Sequence, residues 1–224
     1  MAILGDGSVG KSSIVQSFTD DGFKSVYKQT VGIDFHEKIV KLRERPVSMR
    51  VWDIGGQSIH SKNIKQYVSS ASALFVVYDV TNEESFSNLE DWIRILAKIH
   101  SANAEAAKKV YLVGNKVDMM DQRQVTEKRH NAFIADNGLA GGFFVSAKSG
   151  ENVLKAFYVV VSTALGIGLS EAELEALNKV LKAHVKQSGD DEGRTAFADA
   201  IEEEDRLAAL EAERRANGNG CQCF

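Results

Sequence analysis

A glycine-rich loop near the start of the sequence has the residue types and the spacing that hold phosphate groups. The stretch GDGSVGKSS, residues 5–13, fits the pattern G-x-x-x-x-G-K-[ST]. In such a loop, glycines let successive backbone N–H groups turn toward phosphate oxygens at the beginning of a helix. The lysine neutralises the β- and γ-phosphates, and the hydroxyl binds Mg²⁺. The predicted phosphate-binding residues are Gly5, Asp6, Gly7, Ser8, Val9, Gly10, Lys11, Ser12 and Ser13, with Ser12 also a metal ligand.

A second motif, WDIGGQ at residues 52–57, follows a strand pattern. Asp53, at the end of that strand, can hold Mg²⁺ through a water molecule. The backbone N–H of Gly56 can meet the γ-phosphate, and Gln57 can orient an attacking water as the catalytic residue. D-x-x-G alone is also ordinary turn chemistry, but its position after the phosphate loop favours a functional role.

A third motif, LVGNKVD at residues 112–118, ends in side chains suited to recognising a purine base. One carboxylate accepts two hydrogen bonds, and guanine presents N1–H and N2–H₂ on one edge, whereas adenine lacks this pair. Asp118 is therefore predicted to select guanine. SAK, residues 146–148, follows the next strand, and its backbone N–H groups can meet guanine O6. The predicted guanine-binding residues of these two motifs are Asn115, Lys116, Asp118, Ser146, Ala147 and Lys148.

The elements that must position these loops alternate between strands and helices. Near-continuous apolar runs, which indicate strands buried on both faces of a parallel sheet, lie at 2–4, 47–52, 73–78, 110–114 and 143–145. Helical spacing occurs at 12–18, 86–99, 126–136 and 152–165. Residues 34–42 are expected to pair with 47–52 as an antiparallel hairpin. The predicted fold class is α/β, a doubly wound and mostly parallel sheet.

Composition and charge narrow the class of protein. The 224 residues include 31 acidic and 27 basic ones, a formal net charge of −4, so binding to nucleic acid is not expected. No apolar run approaches the roughly 18 to 20 residues of a membrane span, and no signal peptide is present, so we expect a cytoplasmic protein. The five histidines lack metal-ligand spacing and are interpreted as structural or surface residues.

The ordered set GDGSVGKS, TVGIDF, WDIGGQ, LVGNKVD and SAKSG resembles the Ras superfamily of small GTPases over residues 1 to about 165. TVGIDF, VVYDVT and FSNLEDW are most similar to the Rab branch. The resemblance implies a switch that binds GTP and GDP with Mg²⁺, hydrolyses GTP slowly and recruits effectors in vesicle trafficking. It implies that Thr30 contacts Mg²⁺ and the γ-phosphate and that Phe23 stacks edge-on against guanine. The implied partners are an exchange factor, a GTPase-activating protein, a prenyl-binding chaperone and effectors.

The sequence departs from the usual Rab pattern in three places, and each departure leads to an expectation about switch II, regulator recognition or stability. Where Rabs usually read WDTAGQE, this chain has Ile54, Gly55 and Ser58, and the extra glycine is expected to loosen switch II, the loop around Gln57. The segment that begins at Ser58 lacks the arginine-rich pattern usual there, so we expect regulators to recognise it differently. Few residues precede the phosphate loop, so we expect the natural start to lie upstream and the short first strand to cost stability.

The character of the sequence changes after Leu165. We predict a G domain over residues 1–165 and a hypervariable, acidic tail, helical in part, over 166–224. Ser170 and Glu173 form a predicted capping box, and an apolar stripe follows at Leu174, Leu177, Leu181 and Val185. This stretch is expected to fold back on the body or extend the linker, with docking of a partner helix as the alternative.

The terminal residues CQCF contain both cysteines of the chain, Cys221 and Cys223. Cys221 occupies the modified position of a C-a-a-X prenylation box, in which a final Phe favours geranylgeranyl. A Cys-x-Cys site with two lipid chains and a surface thiol pair are the alternatives. Because no polybasic stretch precedes the box and one chain binds membranes only marginally, we predict weak, reversible attachment to the cytosolic face of a membrane.

Three functional hypotheses follow. The first is a slow GTPase switch, accelerated by a partner's arginine. The second is a nucleotide-locked GTP-binding module in which the altered switch II or the short N-terminus removes hydrolysis. The third, a phosphate-loop kinase or ATPase, is disfavoured by NKVD because that motif selects guanine. The structural alternatives, a glycine turn before a surface lysine and a plain strand-end turn at NKVD, are disfavoured by the order and spacing of the motifs.

Overall fold

The computed structural model describes residues 1–19, 30–43, 45–57, 64–100 and 109–175. The described strands are β1 Ala2–Gly5, β2 Ile33–Leu42, β3 Arg45–Ile54, β4 Leu74–Asp79, β5 Val110–Asn115 and β6 Gly141–Phe144. The described α-helices are α1 Lys11–Thr19, α2 Ile64–Ser70, α3 Glu83–Ser87, α4 Leu89–His100, α5 Glu127–Asp136 and α6 Val153–Ala164, and a 3-10 helix spans Met120–Gln122. The chain divides into units of residues 1–182 and 183–224, and all described residues belong to the first.

The described strands form one sheet in the order β2-β3-β1-β4-β5-β6. β1 is parallel to β3 and to β4, and β5 and β6 continue the parallel part. β2 pairs antiparallel with β3, from Ile33 opposite Ile54 to Leu42 opposite Arg45. The predicted α/β class and the hairpin are therefore confirmed. Because parallel strands end at one edge of a sheet, the loops after β1, β3, β5 and β6 lie together there.

β1 lies at the centre of the sheet, and its side chains alternate between two hydrophobic cores. Ile3 packs into the core formed with α1 and α6, where the rings of Phe18 and Phe157 stack with their centroids 3.9 Å apart. Ala2 and Leu4 pack into the core on the other face, formed with α2, α3 and α4. None of these three β1 side chains is exposed. Helices thus cover both faces of the sheet, and the phosphate loop follows a strand that is buried at every position.

The apolar stripe over residues 86–99 was predicted as one helix, and that prediction is wrong. The stripe is split between α3 and α4, which meet at Asn88. Asn88 ends α3 by donating its backbone N–H to Glu84 O at 2.9 Å, and its side-chain Nδ2 donates to Asp6 Oδ2 at 2.7 Å. The residue at the break between the two helices therefore also forms a tertiary hydrogen bond to the phosphate loop.

The last described strand also differs from its prediction at 143–145. β6 begins two residues earlier, at Gly141, and ends at Phe144. A β-carbon on Gly142 would lie less than 3.0 Å from side-chain atoms of His130 and Ile134 on α5. Glycine is required at position 142 because α5 packs directly against its backbone.

The capping box predicted after α6 is confirmed. Glu173 Oε2 accepts the backbone N–H of Ser170 at 2.6 Å, and Ser170 Oγ accepts that of Glu173 at 3.3 Å. Residues 171–175 are helical, while Leu177, Leu181 and Val185 lie outside the described residues. No helix in the described ranges has the length and apolar character needed to cross a bilayer.

Candidate functional site

A cleft of about 1200 Å³ lies at the edge of the sheet where the parallel strands end. Its walls come from the phosphate loop, the end of β3, the loop after β5 and the loop after β6. The predicted site residues that line it are Gly7, Ser8, Gly10, Lys11, Ser12, Ser13, Thr30, Asp53, Gly56, Gln57, Asn115, Lys116, Asp118, Ala147 and Lys148. Phe23, Cys221 and Cys223 lie outside the described residues.

Four predicted residues do not line the cleft but support its walls. Gly5 O and Asp6 O accept hydrogen bonds from Lys11, and the Val9 side chain is buried in the core. Ser146 lies behind Asp118 and donates its Oγ–H to the carboxylate at 2.6 Å. The Asp6 carboxylate accepts hydrogen bonds from Asn88 Nδ2 and Trp92 Nε1, so the side chain of Asp6 serves to fix the loop.

Several residues of the phosphate loop have a positive φ, a conformation that glycine adopts without strain. φ is +133° at Gly5, +62° at Ser8 and +94° at Gly10. A β-carbon on Gly10 would also lie less than 3.0 Å from Asn115 Nδ2, so both conformation and space require glycine there. The loop runs directly into α1 at Lys11, which places helix N-terminal N–H groups at the cleft.

Lys11 is held inside the loop. Its side chain is 5% exposed, and Nζ donates to Gly5 O at 2.9 Å and to Asp6 O at 2.6 Å. Burial lowers the pKa of Lys11 to about 8, while the carboxylates of Asp53 and Asp6 act in the opposite direction. Below pH 8 the ammonium is charged; as the pH rises above 8, the folded protein loses this charge before an unfolded chain does.

We expect nucleotide affinity to fall about tenfold between pH 7 and pH 9, because bound phosphates favour charged Lys11 and binding at high pH must take up a proton. Titration calorimetry with GDP, in two buffers of different ionisation enthalpy, measures both the affinity and the proton uptake. Lys11→Arg keeps its charge over this range, so its weaker affinity should vary less with pH. An identical pH profile in the two proteins contradicts the role given to Lys11.

Three oxygen-bearing side chains converge beside Lys11. Ser12 Oγ lies 2.8 Å from Thr30 Oγ1 and donates to Asp53 Oδ2, and Thr30 Oγ1 lies 3.3 Å from the same carboxylate oxygen. Asp53 is buried, and its Oδ1 has no hydrogen-bond partner among the described residues. Buried oxygens from hydroxyl and carboxylate groups are ligands that Mg²⁺ prefers, and an unpaired buried carboxylate oxygen needs a cation or water. The residues present therefore fit a magnesium ion.

Asn115 joins the loops on either side of the cleft. Its Nδ2 donates to Val9 O at 2.8 Å, and its Oδ1 accepts the backbone N–H of Ala147 at 3.1 Å. The side chain is 1% exposed, so both hydrogen bonds are shielded from water. This amide fixes the distance between the phosphate loop and the loop after β6.

Asp118 and Lys116 take different positions in the loop after β5. The Asp118 carboxylate is exposed in the cleft and oriented by Ser146 Oγ. Lys116 Nζ forms an ion pair with Asp79 Oδ2 at 2.6 Å, at a backbone φ of +69°. The loop thus offers a carboxylate to a ligand while its lysine is anchored to the end of β4.

The end of β3 packs closely against two other loops. The Gly55 N–H donates to Gly32 O at 2.9 Å. A β-carbon on Gly55 would lie less than 3.0 Å from Thr30 O, and one on Gly56 less than 3.0 Å from Gly7 N. Gly55 and Gly56 therefore both lie against backbone atoms of neighbouring loops. The expectation that the extra glycine loosens switch II stays a prediction, because residues 58–63 of that segment lie outside the described residues.

A partly exposed aromatic cluster, in which Phe35 is exposed and Trp52 and Tyr67 are half-buried, was missed by sequence reasoning. The rings of Phe35 and Trp52 lie 4.7 Å apart, and those of Trp52 and Tyr67 lie 4.9 Å apart. Phe35 is 43% exposed, and Ile39 on the same face of β2 is 69% exposed. The alternation of Ile33, Phe35 and Ile39 along β2 was the available signal.

Comparisons with known proteins agree with this geometry. A model of the Ras family matches residues 1–166. The chain is 39% identical over 186 residues to Ras-related protein Rab-28 of Caenorhabditis elegans, covering 83% of this chain and 74% of the relative. It is 34% identical over 160 residues to human Ras-related protein Rab-8B, covering 71% and 75%. Rab-8 of Diplobatis ommata is 31% identical over 200 residues, covering 88% and 93%.

Such coverage by a family model, together with relatives of this similarity, shows that the chain belongs to the Ras family and is a Rab-type small GTPase, a GTP-binding and GTP-hydrolysing switch of membrane trafficking.

Proposed function

We propose that the cleft holds GTP or GDP with Mg²⁺, with the phosphates on residues 5–13 and the base between the loops after β5 and β6. The observation that carries this proposal is the Asn115 amide, which ties the phosphate loop to the loop after β6 through Val9 O and Ala147 N. A nucleotide is the class of ligand that needs a phosphate site and a base site at one fixed distance.

At the phosphate end, the backbone N–H groups of the loop and of the first turn of α1 face the phosphates, and Lys11 supplies the positive charge. Ser12 and Thr30 would bind the magnesium ion through their hydroxyls, and Asp53 would hold it through water. When bound, the ion neutralises charge on the β- and γ-phosphate oxygens. The unpaired Asp53 Oδ1 supports this assignment.

At the base end, Asp118 accepts hydrogen bonds from guanine N1–H and N2–H₂. Ser146 orients the carboxylate from behind, which lowers the cost of holding it in one rotamer. The N–H groups of Ser146 and Ala147 are bonded to Glu151 O and Asn115 Oδ1. The backbone N–H of Lys148, which lines the cleft, is therefore the better donor to guanine O6. The stacking of Phe23 against guanine stays a prediction.

For hydrolysis, Gln57 orients the attacking water and the Gly56 N–H faces the γ-phosphate. Gln57 is exposed at the mouth of the cleft, and Gly56 lies against Gly7 of the phosphate loop. This position supports the assignment of Gln57, because it lies at the end of the cleft where we propose that the γ-phosphate binds.

We expect Gln57→Leu to slow single-turnover GTP hydrolysis by about 10- to 100-fold, because the water loses its orienting group. The affinity for GDP should stay within about twofold, since GDP has no γ-phosphate for Gln57 to approach. The measurement compares both proteins with and without an extract containing GTPase-activating proteins. Wild-type protein that binds GTP but does not turn it over in either condition supports the nucleotide-locked module instead.

We also propose that effectors dock on the aromatic cluster of Phe35, Trp52 and Tyr67. Its exposed member, Phe35, lies on β2, the strand that follows Thr30, while Trp52 on β3 and Tyr67 on α2 are half-buried beside it. The apolar surface is therefore connected in the chain to the residue proposed to contact the γ-phosphate. Exchange factors and GTPase-activating proteins act on the neighbouring cleft, and a lipid on Cys221 or Cys223 would bring the protein reversibly to a membrane.

A further inference from the structure

His130 on α5 is a buried histidine that does not line the cleft. Its side chain is 2% exposed, and its ring centroid lies 4.2 Å from that of Phe144 on β6. Its Nδ1 lies 3.0 Å from the hydroxyl oxygen of Tyr78 on β4. A β-carbon on Gly142 would lie less than 3.0 Å from His130 Nε2, so the glycine leaves room for the ring. The imidazole thus contacts β4 and β6, the two strands on either side of β5.

The hydrogen bond between His130 and Tyr78 joins two uncharged groups. Burial lowers the pKa of His130 to about 4, and the guanidinium of Arg123 acts in the same direction. Burial raises the pKa of Tyr78, while Arg123 and Arg129 act in the opposite direction. At neutral pH a neutral imidazole therefore meets a protonated hydroxyl. Because both side chains are buried, removal of either one leaves the other without this partner and away from water.

The side chains of Tyr78 and Phe144 both lie against the same residue of β5, Gly114. A β-carbon added to Gly114 would lie 2.8 Å from the Tyr78 hydroxyl oxygen and 2.9 Å from Phe144 Cδ1. Gly114 is the residue before the end of β5, where the loop with the NKVD motif begins. The two side chains that His130 contacts therefore press on the start of that loop.

Both loops at the base end of the cleft begin beside this contact. The N–H of Val145 donates to Gly114 O at 2.8 Å, which joins the two loops where they leave the sheet. Asp118 follows four residues after Gly114, and Ser146, which donates to the Asp118 carboxylate, follows two residues after Phe144. A shift of Gly114 or Phe144 would therefore move the carboxylate or the hydroxyl that orients it.

We propose that His130 is a positioning residue for base recognition, which holds Tyr78 and Phe144 against Gly114 and thereby fixes where Asp118 meets the base. The inference rests on the proposed function, in which Asp118 accepts guanine N1–H and N2–H₂. The amino group at C2 distinguishes guanine from hypoxanthine. Because hydrogen bonds weaken steeply when their geometry is poor, a displaced carboxylate distinguishes the two bases less well.

The test measures the ratio of the affinities for GDP and for inosine diphosphate, whose hypoxanthine base lacks the amino group at C2. Since both nucleotides bind the folded protein, this ratio does not depend on the fraction that is folded. Wild-type protein should prefer GDP by about 10- to 100-fold, the contribution of one hydrogen bond to a charged group. His130→Phe keeps a ring but leaves the Tyr78 hydroxyl unpaired, and it should reduce the ratio by about threefold or more.

Tyr78→Phe removes the other half of the hydrogen bond. It deletes a single oxygen atom, so it decides the test if His130→Phe does not fold, and it should reduce the ratio to a similar extent. The double variant should reduce the ratio no further than either single variant, because both act through one contact. Leu96→Val is the control. Leu96 is 3% exposed and lies in the same core on α4, so this change should lower the midpoint of thermal unfolding and leave the ratio unchanged.

An unchanged ratio in Tyr78→Phe, an additive double variant, or an equal reduction in Leu96→Val would each overturn the inference. Wild-type protein that binds no guanine nucleotide, or that does not prefer GDP to inosine diphosphate, would instead refute the proposed function.

Discussion

Asp118→Asn will exchange guanine for xanthine as the preferred base. In the proposed complex, the Asp118 carboxylate accepts two N–H groups from guanine, whereas an amide would offer one acceptor and one donor. Xanthine carries a carbonyl oxygen at C2 in place of the amino group, so it matches the amide. A polar group that is left unpaired once the bound base shields it from water discriminates by several orders of magnitude, and we expect GDP affinity to fall by about 10³-fold.

Competition binding with GDP and xanthosine diphosphate measures this change of specificity. Asp121→Asn is the control, because Asp121 is an exposed residue close in sequence that undergoes the same loss of charge and does not line the cleft. An Asp118→Asn protein that still prefers GDP contradicts the assignment of Asp118 to the base.

Asn115→Ala should lower nucleotide affinity by at least about 100-fold. The change leaves Val9 O and Ala147 N, both now bonded to Asn115, without partners in a buried place. Without nucleotide the loops can relax to satisfy these groups, so holding them in the binding geometry costs about 1–3 kcal/mol for each group. Each 1.4 kcal/mol of this difference between the free and bound states corresponds to a factor of about ten in affinity. The two loops also lose the side chain that sets their separation, so the phosphate and base sites no longer fit one nucleotide.

Asn137→Ala provides a matched control for Asn115. Asn137 Nδ2 also donates to a backbone carbonyl, Phe133 O at 3.0 Å, but it does so at the end of α5 and does not line the cleft. Equilibrium binding of GDP to both variants, with thermal unfolding as a measure of folding, separates the two effects. Equal affinities in the two variants contradict the linking role of Asn115.

The positions of the cleft loops could be predicted because each motif directly follows an apolar run. A buried run of four to six residues indicates a strand, and parallel strands bring their ends to one edge of the sheet. That reasoning placed Lys11, Asp53 and Asp118 in one cleft without any knowledge of distances. The roles of Asp6 and Asn115 could not be predicted in this way, because their side chains bond to atoms more than 80 positions away.

Neither the break at Asn88 nor the close packing of Gly55 could be predicted, for related reasons. The apolar stripe over residues 86–99 is continuous, so it does not show the break at Asn88, a residue that bonds the distant Asp6. For Gly55, the sequence indicates conformational freedom, whereas the structure shows a close approach of two backbones. Both features depend on contacts with residues that are distant in the chain, and a local sequence pattern does not report such contacts.

The nucleotide content of the purified protein tests the central claim most directly. Protein prepared in magnesium buffer, denatured and analysed by chromatography should yield about one equivalent of GDP or GTP, released from the native protein when a chelator removes Mg²⁺. Folded protein that contains no guanine nucleotide and takes up none from solution would contradict the account, whatever the behaviour of its variants.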